Sequence, residues 1–433
     1  MEQDPPVSRV WLECTSTRAS RYNTGIQRAG RNLVNASLSV ARPGQCKAVF
    51  YNGRFLEAID SLPQAATGSW RSGIDLLRQS FYYLRAVTVR IAPAAHPALH
   101  SQRLEYELRR FLYGIQNACR WVHSLTVPQT RRVQFRRGDV LVLLDPAWSV
   151  DLSRELKRAK DEGVGIWLVV YDLIPIMYPE LAPEGRPILM DKWLRQVVPF
   201  ANGALGISRS VAIELRVHLE GIGLGDHLRI DHFYLGAGLG KIEPSARQVA
   251  AITDIFAGGC RVYLIVGTIE PRKNHAMVID TFERLWASGS SAKLLIFGRL
   301  GWRSDDLARR IRGHPELGRR LLWLEAGTDS ELDFAYRHAA ALLFPSRCEG
   351  FGLPLVEAMR YGLPVLASDI PVFREIGGDY PRFFDADAYG ALEHAVRQLE
   401  LGLEPTVGIS RIPRAWLSWL ESAQLLRQKV TGA

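Results

Sequence analysis

Cysteine is scarce and scattered in this 433-residue sequence: Cys14, Cys46, Cys119, Cys260 and Cys348 form an odd set with no CxxC and no Cys/His spacing. That excludes a disulfide framework and a structural zinc site of the usual spacing, and it fits reduced thiols in a cytoplasmic protein. Uninterrupted apolar runs are short as well. None approaches the roughly 18 residues that a membrane-crossing helix needs, so no span is expected. The opening MEQDPPVSRVWLEC carries acids and prolines where a secretory leader needs a basic start and an apolar stretch, so a cytoplasmic location is expected. Acidic residues are in deficit: 54 Lys and Arg face 45 Asp and Glu, a net charge of +9. The excess favours an anionic partner, whether nucleic acid, membrane surface or phosphorylated ligand, and charge alone does not choose among them. Neither a solenoid-period repeat nor a low-complexity tract is evident.

Apolar residues make up 47% of the chain, enough for more than one core, and the length is near twice that of a usual domain. From residue 261 onward the runs RVYLIVG, AKLLIFG, RLLWLE, AALLFP and LPVLAS alternate with helix-like stretches. Continuous apolar runs of this length suit parallel strands covered on both faces. Ser330 and Gly362 stand near plausible ends of the intervening helices. A looser version precedes residue 240, with RVWLEC, KAVFY, DVLVLLD, GIWLVVYD and GALGIS as strands. It is interrupted over about 71–137 by an arginine-rich, amphipathic, helical insertion, and EPSARQVAAITDIFAGG at 243–259 reads as a linker with an attached helix. The expected division is 1–240, a first α/β domain with its insertion; 241–390, a second; and 391–433, terminal helices of which the last packs back on the first domain. Two such doubly wound domains facing one another create a cleft at the carboxyl ends of their strands, where open α/β sheets bind ligands.

The segment ALLFPSRCEGFGLPLVEAM ends a strand near Pro345, passes through Glu349-Gly350-Phe351-Gly352 and starts a helix near Leu353 or Pro354. The glycines let backbone approach a ligand, and free N–H groups with the helix dipole favour phosphate there. Carboxylates beside such a site suit sugar hydroxyls. One of Glu349 and Glu357 could hold a transferred sugar and the other a ribose. The plainer alternative is a capped helix with two solvated glutamates. A second loop, LIVGTIEPRKNHAMVI, leaves its strand at Gly267 and brings Arg272 and Lys273 to the same sheet edge. There Arg can fork onto phosphate oxygens and Lys adds a point charge, so a leaving diphosphate is neutralised without a metal. Cations at a helix start oppose the dipole and need some such reason.

VGTIEPRKN followed by LFPSRCEGFGLPLVEAMRYGLPVLASDIPVFREIGG closely resembles the retaining GT-B glycosyltransferases of family GT4, including bacterial mannosyl- and rhamnosyltransferases of surface polysaccharide assembly. The resemblance is strong over about 255–390 and extends more weakly through most of the chain. It implies a GT-B fold of two Rossmann-like domains and metal-free transfer of a hexose, with retention, from a nucleoside diphosphate sugar, GDP-linked mannose or a deoxyhexose favoured. The acceptor implied is a glycan or a lipid-diphosphate-linked oligosaccharide. By the same resemblance Glu349 contacts the donor sugar and Glu357 the ribose. Gly267, Gly350 and the backbone N–H groups of Phe351, Gly352 and Leu353 line the diphosphate, and Arg272 and Lys273 clamp it.

Departures lie in the first half. In YNTGIQRAGRNLVNA, Gly25 fits the first glycine of the family's GxGR loop while Gln27 replaces the second. In WLVVYDLIPIMYPE, Tyr171 stands where the family commonly has histidine and Asp172 is kept; Asp172 is expected either to hold a sugar hydroxyl or take the acceptor proton, or to cap a turn. DHFYLGAG resembles the inter-domain segment and is read as a hinge. Asp385 and Asp387 make an Asp-x-Asp pattern but are expected as helix caps, so no metal ligands are expected. The Asn35 sequon is set aside, and His275 is expected to pack or to rim the ligand rather than serve as a general base. Rival classes are a sugar-nucleotide epimerase or hydrolase and a catalytically weak scaffold subunit. A nucleic-acid binder using 71–137 is disfavoured, and peripheral attachment of that insertion to anionic membrane on the inner face of the cell membrane is weighed equally with simple coverage of the sheet.

Overall fold

The structure, a computed structural model, describes residues 8–20, 25–42, 44–62, 127–145, 147–148, 150–238, 252–402 and 416–432. Most of the 71–137 insertion and the start of the 243–259 linker lie outside the described residues. The described end of the insertion is not an amphipathic helix: it holds a three-residue 3-10 turn, Gln129–Arg131, and a loop from which Val133 enters the core. The chain divides into two compact units, residues 1–205, 214–231 and 423–433 in the first and 206–213 and 232–422 in the second. This boundary falls at His232, short of residue 240, and moves the short segment 206–213 into the second unit.

The first unit is built on a seven-stranded sheet of order β3-β2-β1-β4-β5-β6-β7. Its strands are β1 (Val10–Glu13), β2 (Cys46–Tyr51), β3 (Leu56–Ile59), β4 (Val140–Leu143), β5 (Gly165–Val170), β6 (Gly203–Gly206) and β7 (Arg229–His232). β1 is parallel to both β2 and β4, and β4 to β5. β1, β4 and β6 are buried along their whole length, as continuous apolar runs in a covered parallel sheet should be. β3 was not visible as an apolar run. It returns antiparallel to β2 through a turn in which Asn52 Oδ1 accepts the N–H groups of Arg54 and Phe55. The described helices here are α1 (Thr15–Ala19), α2 (Gly25–Val40), α3 (Ser153–Asp161), α4 (Ile174–Met177), α5 (Arg186–Val197) and α6 (Arg209–Gly221).

The second unit holds a six-stranded parallel sheet of order β10-β9-β8-β11-β12-β13. The five expected runs are β8 (Val262–Val266), β9 (Lys293–Phe297), β10 (Leu321–Leu324), β11 (Ala341–Phe344) and β12 (Val365–Ser368), and the short β13 (Arg382–Phe384) adds an edge. Helices α7 (His275–Ala287), α8 (Asp305–Arg312), α9 (Asp329–His338), α10 (Leu353–Tyr361), α11 (Pro371–Gly377) and α12 (Ala391–Glu400) follow, and α13 (Trp419–Thr431), which belongs to the first unit from Ala423 onward, is the last described helix. α7 shows why these crossovers form. Val278, Ile279, Phe282, Leu285 and Trp286 fall on one helical stripe and pack on Tyr263, Ile265, Leu294 and Ile296 of β8 and β9. Each such side chain, once buried, stabilises the fold by roughly 1.5–3 kcal/mol. α9 starts one residue before Ser330, with Thr328 as cap in a reciprocal capping box with Glu331, and Gly362 closes α10 in the left-handed region at φ 66°. Asp385 is not a helix cap; its carboxylate accepts the N–H of Asp387 in a turn, and Gly390 occupies the cap of α12. Among the described residues no helix is long and apolar enough to cross a membrane.

Candidate active site

Two loops of the second unit meet at the carboxyl ends of neighbouring strands. The first leaves β8 at Gly267, whose φ of 145° excludes other residues without strain and whose carbonyl oxygen occupies the space where a Cβ on Gly298 would stand. It then makes the 3-10 turn Pro271–Lys273 and enters α7 through Asn274, one of few residue types that tolerate its left-handed φ of 55°. The second loop leaves β11 and reaches α10 through Gly352, at φ 107°, where a Cβ would press within 3.0 Å of Phe373 and 3.2 Å of Phe344. Leu353 opens the helix with Pro354, which has no N–H, behind it; the Leu355 N–H already donates to the Gly352 carbonyl at 3.0 Å, so the Leu353 N–H is the first-turn donor that stands ahead of the helical ladder. The Arg347 N–H donates to the Arg272 carbonyl at 2.8 Å and ties the loops together, and Ser208 Oγ donates to the Gly350 carbonyl at 2.8 Å.

The structure gathers Glu349, Arg272 and Lys273 into one ion cluster. Arg272 Nη1 donates to Glu349 Oε2 at 2.7 Å, Lys273 Nζ donates to Glu349 Oε1, and Arg272 Nε pairs with Glu270 Oε1 at 2.7 Å. The sequence expectation had the cations waiting for phosphate and the glutamate for sugar; here each satisfies the other. That answers why two cations stand at a helix start, because Glu349 offsets what the dipole disfavours. Burial drives the Glu349 carboxyl upward, but Arg272 and Lys273 outweigh it and hold the group at about 2. Burial lowers the Lys273 ammonium more than Glu349 restores it. His275, which follows, is 2% exposed with neither ring nitrogen hydrogen-bonded, and burial with the Lys273 charge holds it neutral, down at about 3.

Glu357 is placed differently from Glu349. It lies on α10, 1% exposed, and accepts the Tyr336 hydroxyl from α9 at 2.9 Å. Phe351 and Leu353 are buried at the loop and helix start. Asp172 belongs to the first unit. It follows β5, half-buried, and accepts the Ile174 N–H at 3.2 Å, the turn-capping arrangement weighed as its alternative. Gly25 begins α2, exposed, with open space where a Cβ would stand.

Sequence reasoning passed over several charged groups. Burial, then the Asp172 charge, push Glu214 of α6 up to about 7. The available signal was its position beside the buried stripe Val211, Leu215 and Leu219. Glu13, Asp145, Thr17 and Arg31 form a buried group at the ends of β1 and β4, and Tyr171, in the position where histidine was looked for, is buried beside it with its hydroxyl unbonded. Among the described residues no group of three or more His, Cys, Asp or Glu side chains is placed to hold a metal ion.

Residues 255–404 match the family described as Glycosyl transferases group 1. The chain is 32% identical over 302 residues to the serotype-specific mannosyltransferase WbdA of Escherichia coli, an alignment that takes in 68% of this chain and 37% of WbdA. It is 27% identical over 238 residues to the O-antigen chain mannosyltransferase B of Escherichia coli, across 53% of this chain and 60% of that one. Sucrose-phosphate synthase from Thermosynechococcus elongatus has the same fold, with a TM-score of 0.59 at 16% identity over 98% of this chain and 100% of that one. Through residues 255–404 the chain belongs to the glycosyl transferases group 1 family, on a GT-B fold of two parallel-sheet α/β units.

Proposed function

We propose that this chain is a retaining hexosyltransferase of bacterial surface polysaccharide assembly. In this reading it moves mannose from a GDP-linked donor to a glycan or lipid-diphosphate-linked acceptor without a metal. The observation that carries the reading is the Glu349–Arg272–Lys273 cluster beside the N-terminus of α10, where the Leu353 N–H stands ahead of the helical ladder. A diphosphate entering there takes over the two cations, and Glu349, released from them, turns its oxygens to sugar hydroxyls. The bond from the anomeric carbon to the phosphate oxygen breaks, the acceptor oxygen bonds the same carbon on the same face, and the acceptor proton passes to the departing phosphate. Arg272, Lys273 and the helix N-terminus stabilise the charge that develops on that oxygen. Mannose is favoured because relatives matched by sequence are named mannosyltransferases. Attachment to anionic membrane rests on the arginine-rich stretch of the sequence and is part of the proposal.

The test is a thermal-shift panel of GDP, UDP, dTDP and their sugars, followed by transfer assays with and without EDTA. A ligand that binds only the folded chain raises its midpoint. GDP and GDP-mannose are expected to raise it, and transfer to withstand EDTA. Stabilisation by UDP or dTDP alone replaces the donor, donor turnover without acceptor makes the chain a hydrolase or epimerase, and donor binding without transfer makes it a scaffold subunit.

A further inference from the structure

The carboxyl ends of β1 and β4 hold charged groups that the proposed transfer does not use. β1 is flanked by β2 on one side and β4 on the other, so connections leave in opposite directions at the β1–β4 seam, where open α/β sheets place functional groups. Glu13 ends β1 and Asp145 follows β4; they are 0% and 2% exposed. Asp145 is rich in donors. Thr17 N–H donates to its Oδ2 at 2.6 Å and Thr17 Oγ1–H to its Oδ1, the Ser16 N–H adds another, and the Arg31 charge lies near. Glu13 is poor in them. Thr15 alone supplies them, its N–H to Oε1 at 2.8 Å and its hydroxyl, while buried Oε2 has no partner among the described residues, and neither has the buried Tyr171 hydroxyl beside Asp145.

Two carboxylates cannot both stay ionised at this depth, so one proton belongs to the pair. The donors decide where it sits. Asp145, surrounded by N–H and O–H groups, carries the charge, and a proton on the spare oxygen of Glu13 turns an orphan acceptor into a donor. Burial drives both groups up, Glu13 further, to about 8, because the Asp145 charge adds to burial there, while Thr17, Ser16 and Arg31 restrain Asp145.

We propose that Glu13 and Asp145 form a one-proton carboxyl–carboxylate pair that positions the Thr15–Ser20 connection ahead of α2 for the transfer reaction. Thr17 is the hub. Its carbonyl accepts Arg31 Nη2 at 3.0 Å, the same nitrogen reaches the Ser20 carbonyl, and a Cβ on Gly30 would stand 2.9 Å from Thr17 Oγ1. The pair therefore fixes α1 and α2 as one piece. The other charged or titratable groups facing it are Cys14 and Arg18 beside β1, Arg31 of α2 and Tyr171 after β5. Burial pushes the Cys14 thiol and the Tyr171 phenol further above neutrality, and it lowers Arg18 and Arg31 from the ordinary arginine range. The proton of the pair is thus what titrates in this group through neutral pH.

Glu13→Gln and Asp145→Asn test the assignment, read by thermal midpoint from pH 5 to 9 and, where transfer is measurable, by the pH profile of kcat. A raised carboxyl binds its proton more tightly folded than unfolded, so the wild-type midpoint falls from the ordinary carboxyl value of 4.5 up to about 8 and then levels. The Glu13→Gln variant keeps the Thr15 bond and supplies an N–H where the proton was, so its midpoint matches wild type near pH 6 and loses that slope, and kcat no longer falls above pH 8. The Asp145→Asn variant must face Thr17 donors with an amide, so its midpoint drops by on the order of 5 °C at every pH. Equal damage by both substitutions, or one shared pH slope for wild type and Glu13→Gln, overturns the pair. The thermal arm needs no donor sugar, so it decides the pair even if the transferase reading, on which only the kcat arm rests, fails.

Discussion

Glu349 in the second unit and the Glu13–Asp145 pair in the first are all buried carboxyl groups in or beside the loops that leave the carboxyl ends of parallel strands, and burial pushes each of them towards its neutral form. They end on opposite sides of the ordinary range. Glu349 is held at about 2 because Arg272 and Lys273 come within bonding distance, whereas Glu13 rises to about 8 because burial acts there with another carboxyl, Asp145, as the neighbouring charge. The two sites share a backbone setting and differ in neighbours. A carboxylate kept charged by side-chain cations can be exchanged for another anion; a carboxyl pair that keeps its own proton can only hold things still. The first arrangement suits a substrate site and the second a scaffold for one.

The severest way to break the contrast is to remove both cations. Arg272→Ala with Lys273→Ala should cut transfer by at least about 10³-fold, since each removed donor to developing charge costs roughly 10²–10³. It should also remove the two charges that oppose burial, leaving the Ser346 hydrogen bond as the counterweight, so that the Glu349 carboxyl rises from its depressed value. Circular dichroism should show an intact fold, because the pair lies in loops outside the apolar core. Retained transfer in the double variant defeats the leaving-group chemistry.

The second unit was legible because its strands are apolar on both faces and its site is written in backbone terms. Gly267, Pro271, Gly352 and Pro354 each set a turn that only a few residue types permit, and sequence shows residue types directly. Contacts between side chains far apart in the chain were not legible. Lys273 meets Glu349, and Asp145 meets Thr17, only once β8 lies beside β11 and β1 beside β4. The short β3 and β13 escaped notice for a different reason: four and three residues at a sheet edge show little apolar pattern. Tyr171 was seen as a replaced histidine, but its burial follows from packing and not from its identity.

A narrower test separates Glu349 from Glu357. If Glu357 grips the ribose, Glu357→Ala weakens nucleoside diphosphate and donor alike by roughly 1.5–3 kcal/mol, about 10- to 150-fold. It also removes a buried hydrogen bond, the one Glu357 accepts from the Tyr336 hydroxyl, so the thermal midpoint falls. Glu349→Ala acts on the transferred sugar and should lower turnover and donor affinity while nucleoside diphosphate binds no more weakly, since the two cations lose a competitor. Calorimetry with donor and with nucleoside diphosphate distinguishes them. Equal losses of nucleoside diphosphate affinity would defeat the division of roles.

The smallest effect concerns pH and the half-buried Glu214. Glu349, depressed in the fold, contributes stability that is present above 4.5 and is lost as pH falls towards about 2; Glu349→Gln should flatten that acid limb. Glu214, raised by burial and then by Asp172, behaves with the opposite sign: its contribution is present below 4.5 and lost as pH rises through about 7. Glu214→Gln should therefore flatten the thermal midpoint between those values, by less than Glu13→Gln does because solvent reaches Glu214. Asp172→Asn should move the same limb in the same direction, since it removes one of the two forces on Glu214 and leaves an amide oxygen to accept the Ile174 N–H. If the Glu214→Gln curve runs parallel to wild type, solvent screens the two carboxylates from one another, and what is left for Asp172 in this region is the turn that opens α4.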